Sequence, residues 1–167
     1  MTTEVSVRLR DVVEADLEAF LAYEHEPEAL RRSRFTPRPR DAFMRHWKER
    51  ILGDATCLVQ AVVVDEEVAG SIVAWWEDDR RFIGYWLGRP YWGRGIGGRA
   101  LGVFLGIERN RPLYADPFTE NTASVRLLEK HGFRHTGTVR HGADEHALLV
   151  LPEEPRPTAG DASPEHL

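Results

Sequence analysis

Tyr85-Trp86-Leu87-Gly88-Arg89-Pro90-Tyr91-Trp92-Gly93-Arg94-Gly95-Ile96-Gly97-Gly98-Arg99-Ala100 is the stretch on which the fold turns. It sets Gly93, Gly95, Gly97 and Gly98 between an apolar strand-like segment and a segment of helical spacing whose apolar members are Ile96, Leu101, Phe104 and Leu105. Glycine lets the backbone take unusual dihedrals and approach a ligand closely. The start of a helix presents unpaired N–H groups and the positive end of a dipole. Together they make a site for a phosphate or pyrophosphate, to which Arg94 and Arg99 add positive charge. Four glycines in six residues exceed what a plain strand-to-helix turn requires.

Upstream of this stretch, Cys57–Val64 and Val68–Trp76 read as two strands joined by Asp65-Glu66-Glu67, an antiparallel hairpin. Phe82–Leu87 adds a third strand after the charged turn Asp78–Arg81. Val5, Val7 and Leu9 alternate with polar residues and predict a first strand. A helix is expected next, with Asp11 and Glu14 at capping-box spacing and Leu17, Phe20 and Leu21 on one face. Charged residues and three prolines make 24–40 read as loop with at most a helical turn. Phe43, Trp47 and Ile51 repeat every four residues and predict a second helix from about Asp41, stopped by Gly53. Downstream, Pro112–Ala115 reads as a short strand and Thr122–His131 as a helix with Gly132 at its C′ position. Phe133–Val139 and His146–Leu151 supply two last strands. The order is mixed α/β without strict βαβ alternation. One domain over 1–152 is expected, followed by a disordered tail over 153–167 that contains Pro155, Pro157 and Pro164.

Gly93, Gly95 and Gly98 also satisfy the dinucleotide fingerprint G-x-G-x-x-G, with Asp116 near the place of a ribose-binding acid. That reading is rejected. The fingerprint belongs at the opening of a parallel βαβ array, whereas an antiparallel meander precedes it here. One strand–helix unit follows before the chain turns to hairpin, and Trp92 and Arg94 do not belong inside a dinucleotide turn.

Composition narrows the classes. The chain has 167 residues, 42% hydrophobic and 29% charged, which suits one domain with one core. The longest apolar runs, Ile72–Trp76 and Ala147–Leu151, are five residues each, far short of the roughly 20 that cross a membrane. The first twenty residues carry five acids and no apolar core of a secretory leader. The single cysteine, Cys57, allows no internal disulfide and no cysteine metal site, so a cytoplasmic protein is expected. A net charge of −5 argues against a nucleic-acid partner.

With these residues in view, the chain resembles the GNAT superfamily of acetyl-CoA-dependent N-acetyltransferases. Trp92-Gly93-Arg94-Gly95-Ile96-Gly97 is similar to the family's pyrophosphate loop, Gln/Arg-x-x-Gly-x-Gly/Ala, with Trp92 departing from it at the first position. Asn121-Thr122-Ala123-Ser124-Val125-Arg126-Leu127-Leu128-Glu129-Lys130-His131-Gly132-Phe133 is similar to the Asn-x-x-Ser-x-x-(hydrophobic)-Leu-Glu-Lys-x-Gly-Phe helix of the branch of ribosomal-protein-alanine acetyltransferases, RimJ and RimL. The two motifs lie some thirty residues apart, as in the family, and the resemblance spans roughly residues 5–151.

The resemblance implies a central, mostly antiparallel, twisted sheet of six or seven strands, splayed at the cofactor site and flanked by about four helices. It implies acetyl-CoA as co-substrate, no metal, and direct attack of a primary amine on the thioester in a ternary complex. Backbone groups of Tyr85, Trp86 and Leu87 would bind the pantetheine arm, and an N–H near Leu87 would polarise the thioester carbonyl. The loop Trp92, Gly93, Arg94, Gly95, Ile96, Gly97 and Gly98, with Arg99, would hold the pyrophosphate. Asn121, Ser124 and Lys130 complete the cofactor set. Many members use a helix tyrosine to protonate the leaving thiolate, and Leu128 stands there; the resemblance to the RimJ/RimL branch implies the Ser124 hydroxyl in that role, weighed against a Ser124 that only hydrogen-bonds the helix backbone or the cofactor. Glu77 and Asp116 are the candidate general bases, each weighed against a solvated turn residue, and Tyr85 a candidate for orienting the acceptor.

The acceptor stays open among protein N-termini, polyamines, antibiotics and metabolites, and a homodimer is compatible with the sequence. A second class is a silent acyl-CoA-binding sensor domain, which the vacant Leu128 position favours. Arg31, Arg32, Arg34, Arg38 and Arg40 read first as solvated, with an acidic acceptor or ribosomal partner as the functional option. His131, His135, His141 and His146 have no metal-ligand spacing. Trp75, Trp76, Trp86 and Trp92 read as core or cleft-wall residues.

Overall fold

A computed structural model describes residues 5–153, so the expected tail lies outside the described residues from position 154 onward. The alternating segments form seven strands: β1 (Val7–Asp11), β2 (Leu58–Val64), β3 (Glu67–Glu77), β4 (Arg80–Leu87), β5 (Leu113–Ala115), β6 (Arg134–His141) and β7 (Asp144–Leu151). They make one sheet in the order β1-β2-β3-β4-β5-β7-β6. β4 and β5 run parallel, and the other neighbouring pairs are antiparallel.

Among the described residues five α-helices flank the sheet, one more than the sequence predicts: α1 (Leu17–Glu24), α2 (Pro27–Ser33), α3 (Arg40–Arg45), α4 (Ile96–Ile107) and α5 (Thr122–Lys130). The extra one is α2, inside the expected loop. Pro27 occupies its first turn, where the missing N–H costs nothing. The Glu26 carboxylate accepts the Ala29 N–H at 2.7 Å. The helix expected from Asp41 begins as α3 and widens into a π turn over His46–Ile51, keeping Phe43 and Trp47 buried.

The first cap also differs from expectation. Asp16, rather than the Asp11 and Glu14 pair, accepts the Val13 N–H at 2.9 Å. Arg10 grips the same carboxylate with two bonds of 2.7 and 2.8 Å. That guanidinium holds the Asp16 carboxyl below its ordinary value, with the Val13 N–H adding to the effect. A native value below the unfolded one adds stability above the carboxylate range, and this is lost as pH falls through the lowered value. Asp16→Asn is therefore expected to destabilise the protein at pH 7. In urea unfolding followed against pH, the gap between wild type and variant should close below about pH 4.

Two apolar layers cover the sheet. Val62, Ile72, Ile83, Leu113 and Leu149 pack with Ile96, Leu101 and Phe104 of α4 and Leu128 of α5. Ala61, Val59 and Val73 face Leu17 and Phe20 of α1 and Phe43 and Trp47 of α3 and its continuation. Strand alternation sends Tyr85 and Leu87 to the α4–α5 face and Trp86 to the other.

β4 and β5 meet at Arg81 with Leu113 and Phe82 with Tyr114. Beyond Phe82, no strand among the described residues pairs with this edge of β4. Buried Arg81 donates from Nε to buried Glu108 at 2.5 Å and from Nη1 to the Thr56 carbonyl at 2.8 Å. Glu108 also accepts the Asn110 N–H and side-chain amide. This pair closes the point from which the two strands diverge.

Candidate active site

The β3–β4 register decides which backbone groups face the gap. Gly88 N–H donates to the Ala69 carbonyl at 2.7 Å, and the pairing runs unbroken from Gly70 opposite Leu87 to Glu77 opposite Arg80. Backbone groups alternate sides every second residue. Gly88, Trp86 and Gly84 therefore turn to β3, and Tyr85 and Leu87 turn to the gap. Trp86 was expected among the cleft-facing backbone groups, but the register commits its backbone to Ser71. Its indole N–H donates instead to the Tyr23 carbonyl at 2.8 Å on the α1–α2 face, with the Phe35 ring 5.4 Å away.

The glycine-rich loop leaves the end of β4 and enters α4. Gly93 and Gly95 have φ of 70° and 74°, values a side chain rarely adopts, and an added Cβ at either would meet open space. Backbone demand, not crowding, thus selects glycine at both. Gly93, Arg94 and Gly95 are exposed, Gly97 and Gly98 are half-buried, and Arg99 is exposed. Arg99 N–H returns to the Gly95 carbonyl at 3.2 Å. The N–H groups of Ile96, Gly97 and Gly98 lie in the first turn, where α-helical geometry supplies no carbonyl. At Gly97 an added Cβ would lie 3.3 Å from Leu127 of α5 and 3.4 Å from Leu87 of β4, so this glycine also lets the helix start sit close to both.

Trp92, the departure from the family's first loop residue, ties the loop down. Its indole N–H donates to the Leu87 carbonyl at 3.0 Å, and Arg32 stacks on its ring at 4.6 Å. His131, just past α5, places Nε2 3.1 Å from the Gly98 carbonyl and Nδ1 3.0 Å from the Leu127 carbonyl. The end of α5 therefore lies against the start of α4, with exposed Lys130 beside it. Asn121 caps α5, its side chain accepting the Ser124 N–H at 3.4 Å.

The first turn of α5 reaches the other side of the gap. Tyr85 Oη and Ser124 Oγ are 2.7 Å apart, so one hydroxyl donates to the other. Burial pushes the Tyr85 phenol up to about 12, so it keeps its proton at neutral pH. The structure thus brings together two residues that the sequence treated separately.

The two candidate bases part company. Glu77 sits at the β3–β4 turn, bonded to the Trp75 indole. Seven residues of β4 at roughly 3.3 Å each set it about 23 Å from Leu87, at the end away from the loop. Asp116 follows β5, at the lip facing the end of β4. His141 Nε2 lies 2.7 Å from its carboxylate and His146 Nδ1 lies 2.9 Å from its carbonyl. Sequence spacing alone concealed both histidines, because the pairing of β5, β7 and β6 assembles them.

The five arginines of 31–40 also read differently in three dimensions. Arg31 and Arg32 pair with Glu28, Arg34 with Asp144, Arg38 with Glu24, and Arg40 with Glu18. Four carboxylates of the chain itself thus face the five arginines, Glu28 serving two of them, which leaves little charge for an acidic acceptor. Arg34 also lies 5.6 Å over the Phe118 ring. With Phe35 against Trp86, the segment after α2 touches both lips of the gap.

Among the described residues no group of three or more His, Cys, Asp or Glu is placed to hold a metal ion, and no helix is long and apolar enough to cross a membrane.

Known structures share this architecture. The aminoglycoside acetyltransferase AAC(6')-Ib in complex with coenzyme A superposes with a TM-score of 0.70 at 21% identity, over 87% of this chain and 94% of that one. An uncharacterized protein from Bacillus halodurans gives 0.75 at 16% identity, over 87% and 83%. A domain from Methanocaldococcus jannaschii gives 0.72 at 19%, over 88% and 99%. No curated protein matches the sequence. Residues 6–134 match the family described as Acetyltransferase (GNAT) domain, and with three quarters of its length so matched the chain belongs to the GNAT acetyltransferases.

Proposed function

We propose that this protein transfers the acetyl group of acetyl-CoA to a primary amine. The observation that carries this reading is the open first turn of α4, reached through two left-handed glycines and lying beside the unpaired edge of β4. The N–H groups of Gly95, Ile96, Gly97 and Gly98 would hold the diphosphate, with Arg94, Arg99 and Lys130 at the exposed rim. Tyr85 and Leu87 would receive the pantetheine arm as a neighbouring strand would, and Leu87 N–H would face the thioester carbonyl. A donor of this kind is typically worth about 2.7–4 kcal/mol in acyl transfer.

The thioester supplies an activated acyl carbon. The chain supplies position and proton management. With Tyr85 donating its hydroxyl to Ser124 Oγ, the Ser124 proton would turn toward the departing sulfur. A thiol titrates near ~8.5 in water, so a hydrogen bond and a late proton suffice to release it. Ser124→Ala is expected to lower kcat by about 10–100-fold, with Tyr85→Phe intermediate and the Kd for acetyl-CoA within about threefold of wild type. Single-turnover kinetics with isothermal titration of the cofactor checks both.

The acceptor enters from the α1–α2 face, between Trp86 and Asp116. The RimJ/RimL-like residues at 92–97 and 121–133 favour a protein α-amine, and the likeness to an aminoglycoside acetyltransferase favours a small polyamine. The experiment is CoA release by the purified protein with an alanine-initiated peptide, spermidine and kanamycin. Turnover with one of them supports the transferase. Tight acetyl-CoA binding with no release from any of them supports a sensor domain instead.

A further inference from the structure

Removing the proton from the incoming ammonium is the one step to which the sequence assigned no secure group, and the structure offers a histidine pair for it. Resting on the transferase reading above, we infer that His146 is the general base, with His141 and the Asp116 carboxylate as its positioning partners.

His146 lies in β7 on the same face as Trp86. Alternation along β7 sends Ala147 and Leu149 into the α4–α5 core, so His146 faces the side from which the acceptor arrives. Phe118 bridges to His146 in the backbone pairing, and the two rings meet edge to face at 5.7 Å. The lip of the gap therefore carries the imidazole directly.

The hydrogen bonds fix its tautomer. The Asp116 carbonyl oxygen can only accept, so His146 Nδ1 must carry the proton at 2.9 Å. In the neutral ring this leaves the lone pair on Nε2, the basic nitrogen. His141 is fixed in the same way. Its Nε2–H donates to Asp116 Oδ2 at 2.7 Å, and its ring packs edge-on to His146 at 4.5 Å between centroids. Asp116 thus binds both rings, one through its carboxylate and one through its carbonyl. Charged groups on the surrounding elements include Asp144 and Arg34, paired with each other at 3.7 Å with Arg34 over the Phe118 ring, Glu145 next to His146 in β7, and Arg140 opposite Glu145 in β6.

The step balances without a further reactant. The ammonium passes one proton to His146 Nε2. The freed lone pair forms the N–C bond to the acetyl carbon, and the C–S bond breaks with its electron pair on sulfur. The second proton of the attacking nitrogen ends on that sulfur, which Ser124 hydrogen-bonds as it leaves. The products are the acetamide, CoA thiol and protonated His146, which returns its proton to solvent.

The test uses His146→Asn, whose amide keeps a donor near the Nδ1 position and removes the Nε2 lone pair. With whichever of the peptide, spermidine or kanamycin turns over fastest, kcat/KM at pH 7 is expected to fall by about 10²–10⁴-fold. The deficit should narrow at alkaline pH, where the amine deprotonates unaided, and the acid limb of the wild-type profile should give way to one set by the amine alone. Acetyl-CoA Kd should stay within about twofold. His141→Gln, which keeps a donor near Nε2, should lose less than about tenfold and retain the limb. An H146N enzyme within about threefold of wild type at pH 7 overturns the assignment and leaves the transferase standing. No turnover by wild type with any of the three amines overturns both. ¹⁵N NMR of the wild-type imidazoles gives an independent reading. An Nδ1–H tautomer at His146 supports the base, and an Nε2–H tautomer contradicts it even if the variant does not fold.

Discussion

Gly97→Asp is expected to weaken acetyl-CoA binding by about 100-fold or more while leaving the protein folded. Gly97 is the second residue of α4, where a carboxylate interacts favourably with the helix dipole by about 0.3–1 kcal/mol. An Asp there would close on the N–H groups that the diphosphate needs. Two unit charges about 5 Å apart at an effective dielectric near 20 repel by roughly 3 kcal/mol, a factor of about 100 in Kd. The added Cβ lies 3.3–3.4 Å from the tips of Leu127 and Leu87, contacts that flexible side chains relieve with small shifts. Gly97→Ala separates the two effects, since it introduces the same Cβ without charge and should lose less than about tenfold. Isothermal titration of acetyl-CoA with thermal melts of both variants measures this. Equal losses for alanine and aspartate would mean that packing, and not a bound diphosphate, accounts for the glycine.

Glu108→Ala is expected to be the most damaging change to stability. Glu108 and Arg81 are 2% and 4% exposed, so deleting the acid strands a guanidinium where water does not reach. Breaking a buried pair in this way costs about 3–5 kcal/mol. At roughly 2–4 °C per kcal/mol for a domain of this size, the melting temperature should fall by about 10 °C. Glu108→Gln should fall less, because the amide still accepts from Arg81. A melting temperature within about 2 °C of wild type for the alanine variant would show that the Thr56 carbonyl alone suffices for Arg81. The pair matters to function because Arg81 sits in the short β4–β5 contact from which the gap opens.

The glycine loop was legible because its chemistry is local. Gly93 and Gly95 announce backbone shapes that few other residues adopt, and the apolar spacing after them announces a helix. The hairpins were legible for the same reason, since alternation in 58–87 is a property of neighbours. What failed to show was non-local or dual in meaning. Pro27 reads as a breaker until Glu26 is seen to cap the turn it begins. Asp11 and Glu14 read as the first cap until Arg10 is seen to hold Asp16 from the adjacent strand. Trp92 looks like a defect in a motif until its indole is found on the Leu87 carbonyl. His141 and His146 join Asp116 only because β7 returns between β5 and β6, and no local spacing encodes that. Arg31, Arg32, Arg34, Arg38 and Arg40 read as solvated because their partners Glu18, Glu24, Glu28 and Asp144 are brought to them by α1, α2 and β7.

The central claim concerns where coenzyme A sits. A crystal structure of the protein with coenzyme A tests it directly. Diphosphate oxygens within about 3.2 Å of backbone nitrogens between Gly95 and Gly98, with the pantetheine beside Tyr85 and Leu87, are the expected result. A diphosphate held elsewhere, with those nitrogens facing only water, would contradict it.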